Sequence, residues 1–338
     1  MQSRTKVDVD RPVLDLLVRE VLGTDAPVTR VRELTDGMFN AAYGVDLGDG
    51  TAVVVKVAPP PGTPVLTYER DLMRAEVDFY RRAAGVVPAP AVLGVDLTRS
   101  RVDRDVLVME HLCGTPLESV RRDLPAAEAA TVQRELGAAV ARLRAVTGTR
   151  FGYDRPDGSL SAATWSGALR AMVEALVVDA DHYRVRLSGR ARGLPDLVTA
   201  AADVLDAAVP VPVLTHFDLW EGNVFVAPGA DGAPHLEAVV DGERAFWGDP
   251  LAELVSTSLF RDPAQATDFL AGYAAEAGEP LDLGTDAQLR LTLYRAYLCL
   301  IMTVEGAPRG YGPEGQAGVA FARRRLAAEL RTLHRVLG

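Results

Sequence analysis

The sequence predicts an α+β protein of two unequal lobes, a small β-rich one over residues 1–112 and a larger, mainly helical one over 113–338. Three observations carry this reading. Short apolar runs separated by tight turns crowd residues 28–112. Helical periodicity dominates after that, interrupted by one β-rich island at 212–241. Between the two textures stands Cys113-Gly114-Thr115-Pro116, a natural joint. A chain of 338 residues with 48% hydrophobic content can build a core of this size.

The elements follow in order. RPVLDLLVREVLG (11–23) sets Val13, Leu16, Leu17 and Val21 at helical spacing, a short amphipathic helix. VTRVREL (28–34) and AAYGVDL (41–47) read as strands around the turn TDGMFN (35–40), and GDG (48–50) turns into a third strand, TAVVVKVA (51–58). After the breaker PPPGTP, a helix is expected over 66–84, then strands within 87–97 and 105–112. A long helix is expected over 124–147, capped by Asp123 with Pro125 in its first turn. Further helical patterns cover 164–181, 195–208, 250–260, 264–277, 286–304 and 315–336.

Composition narrows the function. A formal net charge of -10 argues against a nucleic-acid or anionic-membrane partner, both of which need a basic patch. It would suit a cationic small molecule, although solubility is the commoner use of such charge. The N-terminal MQSRTKVDVDRP has no apolar signal core, no run approaches a membrane span, and the two cysteines, Cys113 and Cys299, are far apart. A cytoplasmic protein is the expectation. Only two lysines, Lys6 and Lys56, and two asparagines, Asn40 and Asn223, occur in the whole chain. Where they stand therefore carries information.

The densest chemical signal is THFDLWEGNVFV (215–226), in which Asp218 follows His216 by two positions and precedes Asn223 by five. Transfer of a phosphoryl group needs a carboxylate to receive the acceptor's proton and oxygen ligands for Mg²⁺ on the phosphates. One loop bearing Asp218 and Asn223 can supply both. The second half is VVDGERAFWGDPLAEL (239–254), where Asp241 leaves a strand at a turn and is the natural main Mg²⁺ ligand. PGADGAP (228–234) lets the intervening strands pair and brings Asp218, Asn223 and Asp241 together.

These residues resemble the catalytic motif of the aminoglycoside phosphotransferases, H-G-D-x-x-x-x-N followed by a strand and I-D-W-E-x-A-x-x-G-D-P. The run Asp218-Leu-Trp-x-Gly-Asn223 is also similar to the fructosamine and ketosamine kinases. The resemblance spans roughly 28–260 and implies the protein-kinase-like bilobal fold, with an ATP donor (GTP left open), Mg²⁺ and a small-molecule hydroxyl acceptor. It implies Asp218 as base, Asn223 and Asp241 as metal ligands, and Asp249 as a buried carboxylate bracing the catalytic loop. Lys56 would be the strand lysine for the phosphates, with Glu76 as its helix partner and Glu69 second choice. The turn would place Gly37, Met38, Phe39 and Asn40 near the nucleotide, and the strand at 105–112 would offer backbone groups of Glu110 and Leu112 to the base. Two departures stand out: Phe217 where the family usually has Gly, and Gly242 where it often has Trp. Phe217 either turns into the core or narrows the acceptor site.

Plainer readings stand beside these. His216 is better read as a loop-supporting hydrogen bonder than as a reacting group, since the base is already supplied. Trp165, Trp220 and Trp247 read as core, and Cys113 as a small packing residue. Glu221, Glu243, Asp181 and Glu305, with Asp179, are the carboxylates placed to collect an amine, or else solvated acids. Asp241 and Asp249 lie eight residues apart, too close for the activation segment of a protein kinase. A nucleotide-binding regulator without catalysis would have lost Lys56, Asp218 or Asp241, and all three are present. The expectation is an ATP-dependent O-kinase of an aminoglycoside-like or other antibiotic, with an amino sugar, ketosamine or other metabolite as the alternative.

Overall fold

Strand periodicity in the first lobe produces one antiparallel sheet. A computed structural model describes residues 3–35, 37–258 and 260–338. Asp36 of the turn at 35–40 and Leu259 of the helix expected at 250–260 lie outside the described residues. Strands β1 (Val28–Leu34), β2 (Ala41–Leu47), β3 (Ala52–Val57), β4 (Val92–Asp96) and β5 (Val106–Glu110) form the sheet in the order β1-β2-β3-β5-β4. Alternation along β3 sends Val53, Val55 and Val57 to one face and Val54 with Lys56 to the other.

Helix α1 (Arg11–Leu22) covers the first face. It buries Leu14, Leu17 and Val18 and leaves Leu16 exposed, so the packed stripe is rotated from the one its sequence suggested. Helix α2 (Leu72–Ala83) covers the second face. The single helix expected at 66–84 is in fact a 3-10 turn, Thr67–Glu69, and α2, separated at Asp71, whose φ of 62° no helix accommodates.

The second lobe follows with β6 (Thr115–Pro116), α3 (Leu117–Val120), α4 (Ala126–Leu143), β7 (Phe151–Gly152), β8 (Ser161–Ala162) and α5 (Trp165–His182). Asp123 does not cap α4: its own N–H closes the turn after α3 onto Val120 O, and Pro125 takes the cap position without a side-chain bond. Next come α6 (Gly189–Arg192), α7 (Leu194–Ala200), α8 (Ala202–Ala208), β9 (Val213–Thr215), β10 (Val224–Pro228), β11 (Pro234–Val239) and β12 (Phe246–Gly248). The chain ends with α9 (Glu253–Ser258), α10 (Thr267–Ala277), α11 (Thr285–Val304), α12 (Gly306–Arg309) and α13 (Pro313–Leu337). The helix expected at 195–208 is broken at Ala201, and those expected at 250–260 and 264–277 each open with a 3-10 turn. Strands β10 and β11 pair as the hairpin expected from PGADGAP, with Val240 N donating to Asn223 O at 2.9 Å.

The joint at 113–114 is fixed from β11. Glu237 accepts the Cys113 N–H at 2.9 Å and the Gly114 N–H at 2.8 Å. A Cβ at Gly114 would stand 2.2 Å from Val226 O, so only glycine fits this crossing. Among the described residues no helix is long and apolar enough to cross a membrane.

Candidate functional site

The face of β3 that carries Lys56 is the face α2 covers, so the lysine meets that helix from beneath. Its Nζ lies 2.5 Å from Glu76 Oε1, and it also donates to Asp241 Oδ1 from the second lobe. Tyr80, one turn along α2, donates to Glu76 at 2.9 Å and accepts the Asp241 N–H at 3.0 Å. Burial disfavours the Lys56 ammonium, yet Asp241 and Glu76 outweigh it and hold the pKa well above its ordinary value. Glu76 is raised by burial, only partly offset by Lys56. Burial also acts on Asp241, but Lys56 prevails and lowers it. Glu69, the second choice for the lysine's partner, instead binds Arg309 and the Leu66 N–H.

The loop from His216 to Asn223 is held by its backbone. Phe217 adopts φ 63°, a conformation glycine enters freely and phenylalanine rarely. Its ring is buried against Phe246 and Tyr297 at centroid distances of 5.1 and 5.7 Å, so it turns into the core. His216 is fully buried, with Nε2 2.9 Å from Val240 O and Nδ1 accepting the Asp218 N–H at 3.2 Å. Burial lowers its pKa to about 4.

The carboxylate that braces this loop is Glu253 rather than Asp249. Glu253 accepts the N–H groups of His216 and Phe217, the latter at 3.0 Å, while Ser256 Oγ accepts that of Leu219 at 2.9 Å. Burial pushes Glu253 up to about 7, against the pull of the two amides. Asp249 caps the Leu251 N–H at 2.9 Å and accepts from Arg290 and from Tyr294, the latter at 2.6 Å, which fixes the start of α9 against α11. Sequence reasoning missed Glu253 because backbone amides leave no side-chain signature.

Asp241 sits at φ 60°, and the next residue explains the other departure. A Cβ on Gly242 would lie 2.3 Å from the Phe79 ring, so Phe79 of α2 fills the space a larger residue would need. Phe79 in turn meets His216 edge-on at 4.8 Å. Glu243 accepts from Asn40 Nδ2 at 3.2 Å, joining the turn at 35–40 to the Asp241 loop. Burial, then the charges of Asp241 and Glu76, push Glu243 up to about 8. Phe39 is buried under the Arg309 guanidinium, 5.3 Å from its ring, and Met38 O accepts from Thr5 at 3.1 Å. Phe39 therefore faces the core, and Asn40 is the residue of the turn that contacts the site. The Glu110 N–H is bonded to Ala91 O at 2.9 Å, while Leu112 lies beyond the end of β5.

Asp218 is lodged beside Arg244, whose Nε is 3.8 Å from Oδ2. Burial raises the Asp218 pKa, and Arg244 opposes it. Arg244 was not singled out in the sequence, and only its proximity in space marks it. The carboxylates expected to collect an amine are otherwise engaged. Glu221 faces Arg121 at 3.4 Å, and Asp181, exposed at the end of α5, pairs with Arg192. Glu305 binds Arg244 at 3.1 Å and lies 3.7 Å from Arg309. Asp179 caps the Thr67 turn at 2.7 Å.

The donor set suits a hard divalent cation. Asn223 Nδ2 donates to Asp218 O at 2.8 Å, which leaves Oδ1 as a lone-pair oxygen, and Asp241 keeps an oxygen besides the one Lys56 holds. Among the described residues no cluster of three or more His, Cys, Asp and Glu gathers. Mg²⁺ is ordinarily held by one or two protein oxygens plus substrate phosphates, which this pair matches.

The phosphotransferase enzyme family matches residues 30–290. A provisionally named fructosamine-3-kinase from Thermobifida fusca YX-ER1 superimposes with a TM-score of 0.65 at 24% identity, over 93% of this chain and 98% of that one. A provisionally named aminoglycoside phosphotransferase from Ralstonia eutropha JMP134 gives 0.64 at 16%, over 96% and 98%. The streptomycin–ATP ternary complex of APH(2″)-IIa gives 0.57 at 14%, over 96% and 99%. No curated relative matches by sequence. The shared architecture is the bilobal kinase-like fold.

Proposed function

Because the chain belongs to the phosphotransferase enzyme family, we propose that it transfers the γ-phosphoryl group of ATP to a hydroxyl of a small molecule. The observation that carries this reading is the Lys56 junction. One buried ammonium binds Glu76 on α2 and Asp241 on the opposite lobe, next to the loop bearing Asp218 and Asn223. In this reading residues 1–112 hold the nucleotide and 113–338 hold the acceptor, the joint lying at 113.

Each residue then has a task. Asp218 receives the proton as the acceptor oxygen bonds to γ-phosphorus, and the bond to the β–γ bridging oxygen breaks, leaving ADP and a phosphomonoester. Its burial suits this, since a raised pKa favours proton acceptance. Lys56 steadies the phosphates with a permanent charge, which Glu76 and Tyr80 aim. Asn223 and Asp241 would hold Mg²⁺, which when bound supplies neutralising charge on the phosphate oxygens. Gly37 and Asn40 cover the phosphates, and Glu110 and Leu112 offer backbone groups to the adenine. Glu253, His216 and Ser256 keep Asp218 in place through the loop backbone.

Similar structures are named for aminoglycosides and for fructosamine, which makes hydroxyl-rich, sugar-like molecules the acceptors to try, antibiotic or metabolite. The test is ATP consumption by purified protein with Mg²⁺ against such a panel. Turnover that disappears in Asp218→Ala supports the reading. Equal turnover in a folded Asp218→Ala protein refutes it.

A further inference from the structure

Glu76, Phe79 and Tyr80 stand three and four positions apart, so they share one face of α2. That face meets the Asp241 loop of the second lobe. Glu76 binds Lys56, Phe79 lies over Gly242 and meets the His216 ring, and Tyr80 accepts the Asp241 N–H. A Cβ on Gly242 would stand 2.3 Å from the Phe79 ring, so it is the glycine that lets the helix come this close.

The Tyr80 contact falls on the peptide between Val240 and Asp241, which is held at both ends. Its carbonyl accepts from His216 Nε2 at 2.9 Å, and its N–H donates to the Tyr80 hydroxyl at 3.0 Å. One clamp comes from the second lobe and the other from the first. Because the group is planar, the two bonds together fix the plane from which the Asp241 side chain is carried. Asp241 itself sits at φ 60° and ψ 48°, a left-handed conformation that a non-glycine residue keeps when its surroundings impose it. A phenol can hold this peptide while also serving Glu76. It donates its one proton to Glu76 Oε1 at 2.9 Å and accepts through a lone pair. Tyr80 is 2% exposed, so these partners rather than solvent occupy the hydroxyl.

Resting on the kinase reading above, we propose that Tyr80 is a positioning residue for the metal. Its hydroxyl holds Asp241 in the conformation that presents a carboxylate oxygen to Mg²⁺, and so ties the seating of α2 to the readiness of the metal loop. Phenylalanine in its place keeps the ring and loses both bonds. The loss at Asp241 is felt through the metal. The loss at Glu76 is felt through Lys56, whose charge acts on phosphates with or without metal. Binding of ADP in the presence and absence of Mg²⁺ therefore separates the two.

The test is calorimetric titration of ADP into wild type and Tyr80→Phe, in EDTA and across a Mg²⁺ series. The expected result is ADP affinity in EDTA within about two-fold of wild type and a Mg²⁺ requirement raised about five- to ten-fold, the worth of one such hydrogen bond. An unchanged Mg²⁺ requirement overturns the inference. So does an ADP affinity lowered equally in EDTA and in Mg²⁺, which would place the effect at Lys56. Hydrogen exchange in the wild type serves if Tyr80→Phe does not fold. Without nucleotide, the Asp241 amide should be protected as the α2 amides are, and free exchange there overturns the inference as well. Wild-type protein that binds no ADP even with Mg²⁺ refutes the kinase reading, and this one with it.

Discussion

Asp218 is nearly free of structural duty, which sets it apart from its neighbours. Its carboxylate makes no hydrogen bond to the fold among the described residues, and the cation within ion-pair reach is Arg244 at 3.8 Å. Asp218→Asn should therefore lower kcat by about 10²–10⁴-fold, the usual worth of a general base, with an unchanged urea midpoint. His216 behaves in the opposite way. It is held neutral, with a folded pKa of about 4 against 6.5 for the free side chain. The unfolded chain binds the extra proton first, so stability is complete above pH 6.5 and is lost as pH falls toward 4. The gap corresponds to roughly 3 kcal/mol. Urea titrations from pH 7 to pH 4 should show that loss in the wild type and a flatter profile in His216→Asn. At this scale Lys56, Asp218, Asn223 and Asp241 were legible as candidates because rare residue types and fixed spacing mark them. Arg244 was not, since one arginine among so many carries no signal until the fold sets it beside Asp218.

Among the elements, α9 has a consequence larger than its length. Glu253 opens it and reaches back 37 residues in sequence to the His216 N–H. Glu253→Ala would leave the His216 and Phe217 N–H groups buried without acceptors, at about 1–3 kcal/mol for each. Urea unfolding should show a loss of that order, and hydrogen exchange should quicken at both amides while ADP affinity is kept. Unchanged exchange there would mean that the loop is held by other contacts. Strand and helix identity was readable from periods of two and 3.6, because each long element buries one consistent stripe. Interruptions were less so. The breaks at Asp71 and Ala201 and the two-residue strands β6, β7 and β8 depend on partners far along the chain, which local periodicity does not encode.

In the whole molecule, the lobes share one buried apolar core, and Arg155 adds a polar tie between them. Its side chain is 6% exposed and enters the break before α2. Arg155 NH1 donates to Thr67 O at 3.1 Å and to Arg70 O at 2.8 Å, and Nε donates to Ser159 Oγ at 3.1 Å. Asp71 stands 3.7 Å away, with its backbone at φ 62°. The start of α2, a first-lobe helix, is thus bolted to the loop after β7 in the second lobe. Since α2 carries Glu76, Arg155 is placed to act on the Lys56 junction without touching Lys56. Arg155→Ala removes hydrogen bonds made by a charged donor, each worth about 1.5–3 kcal/mol, and lets α2 shift. The expected outcome is a stability loss of about 3–6 kcal/mol from the two bonds to Thr67 and Arg70, faster hydrogen exchange along α2 than along α11, and weaker binding of ADP with Mg²⁺, with Arg155→Lys restoring part of each. A fall in melting temperature with exchange in α2 unchanged would show that Arg155 serves stability alone and that α2 is placed by its packing against Gly242 and the sheet.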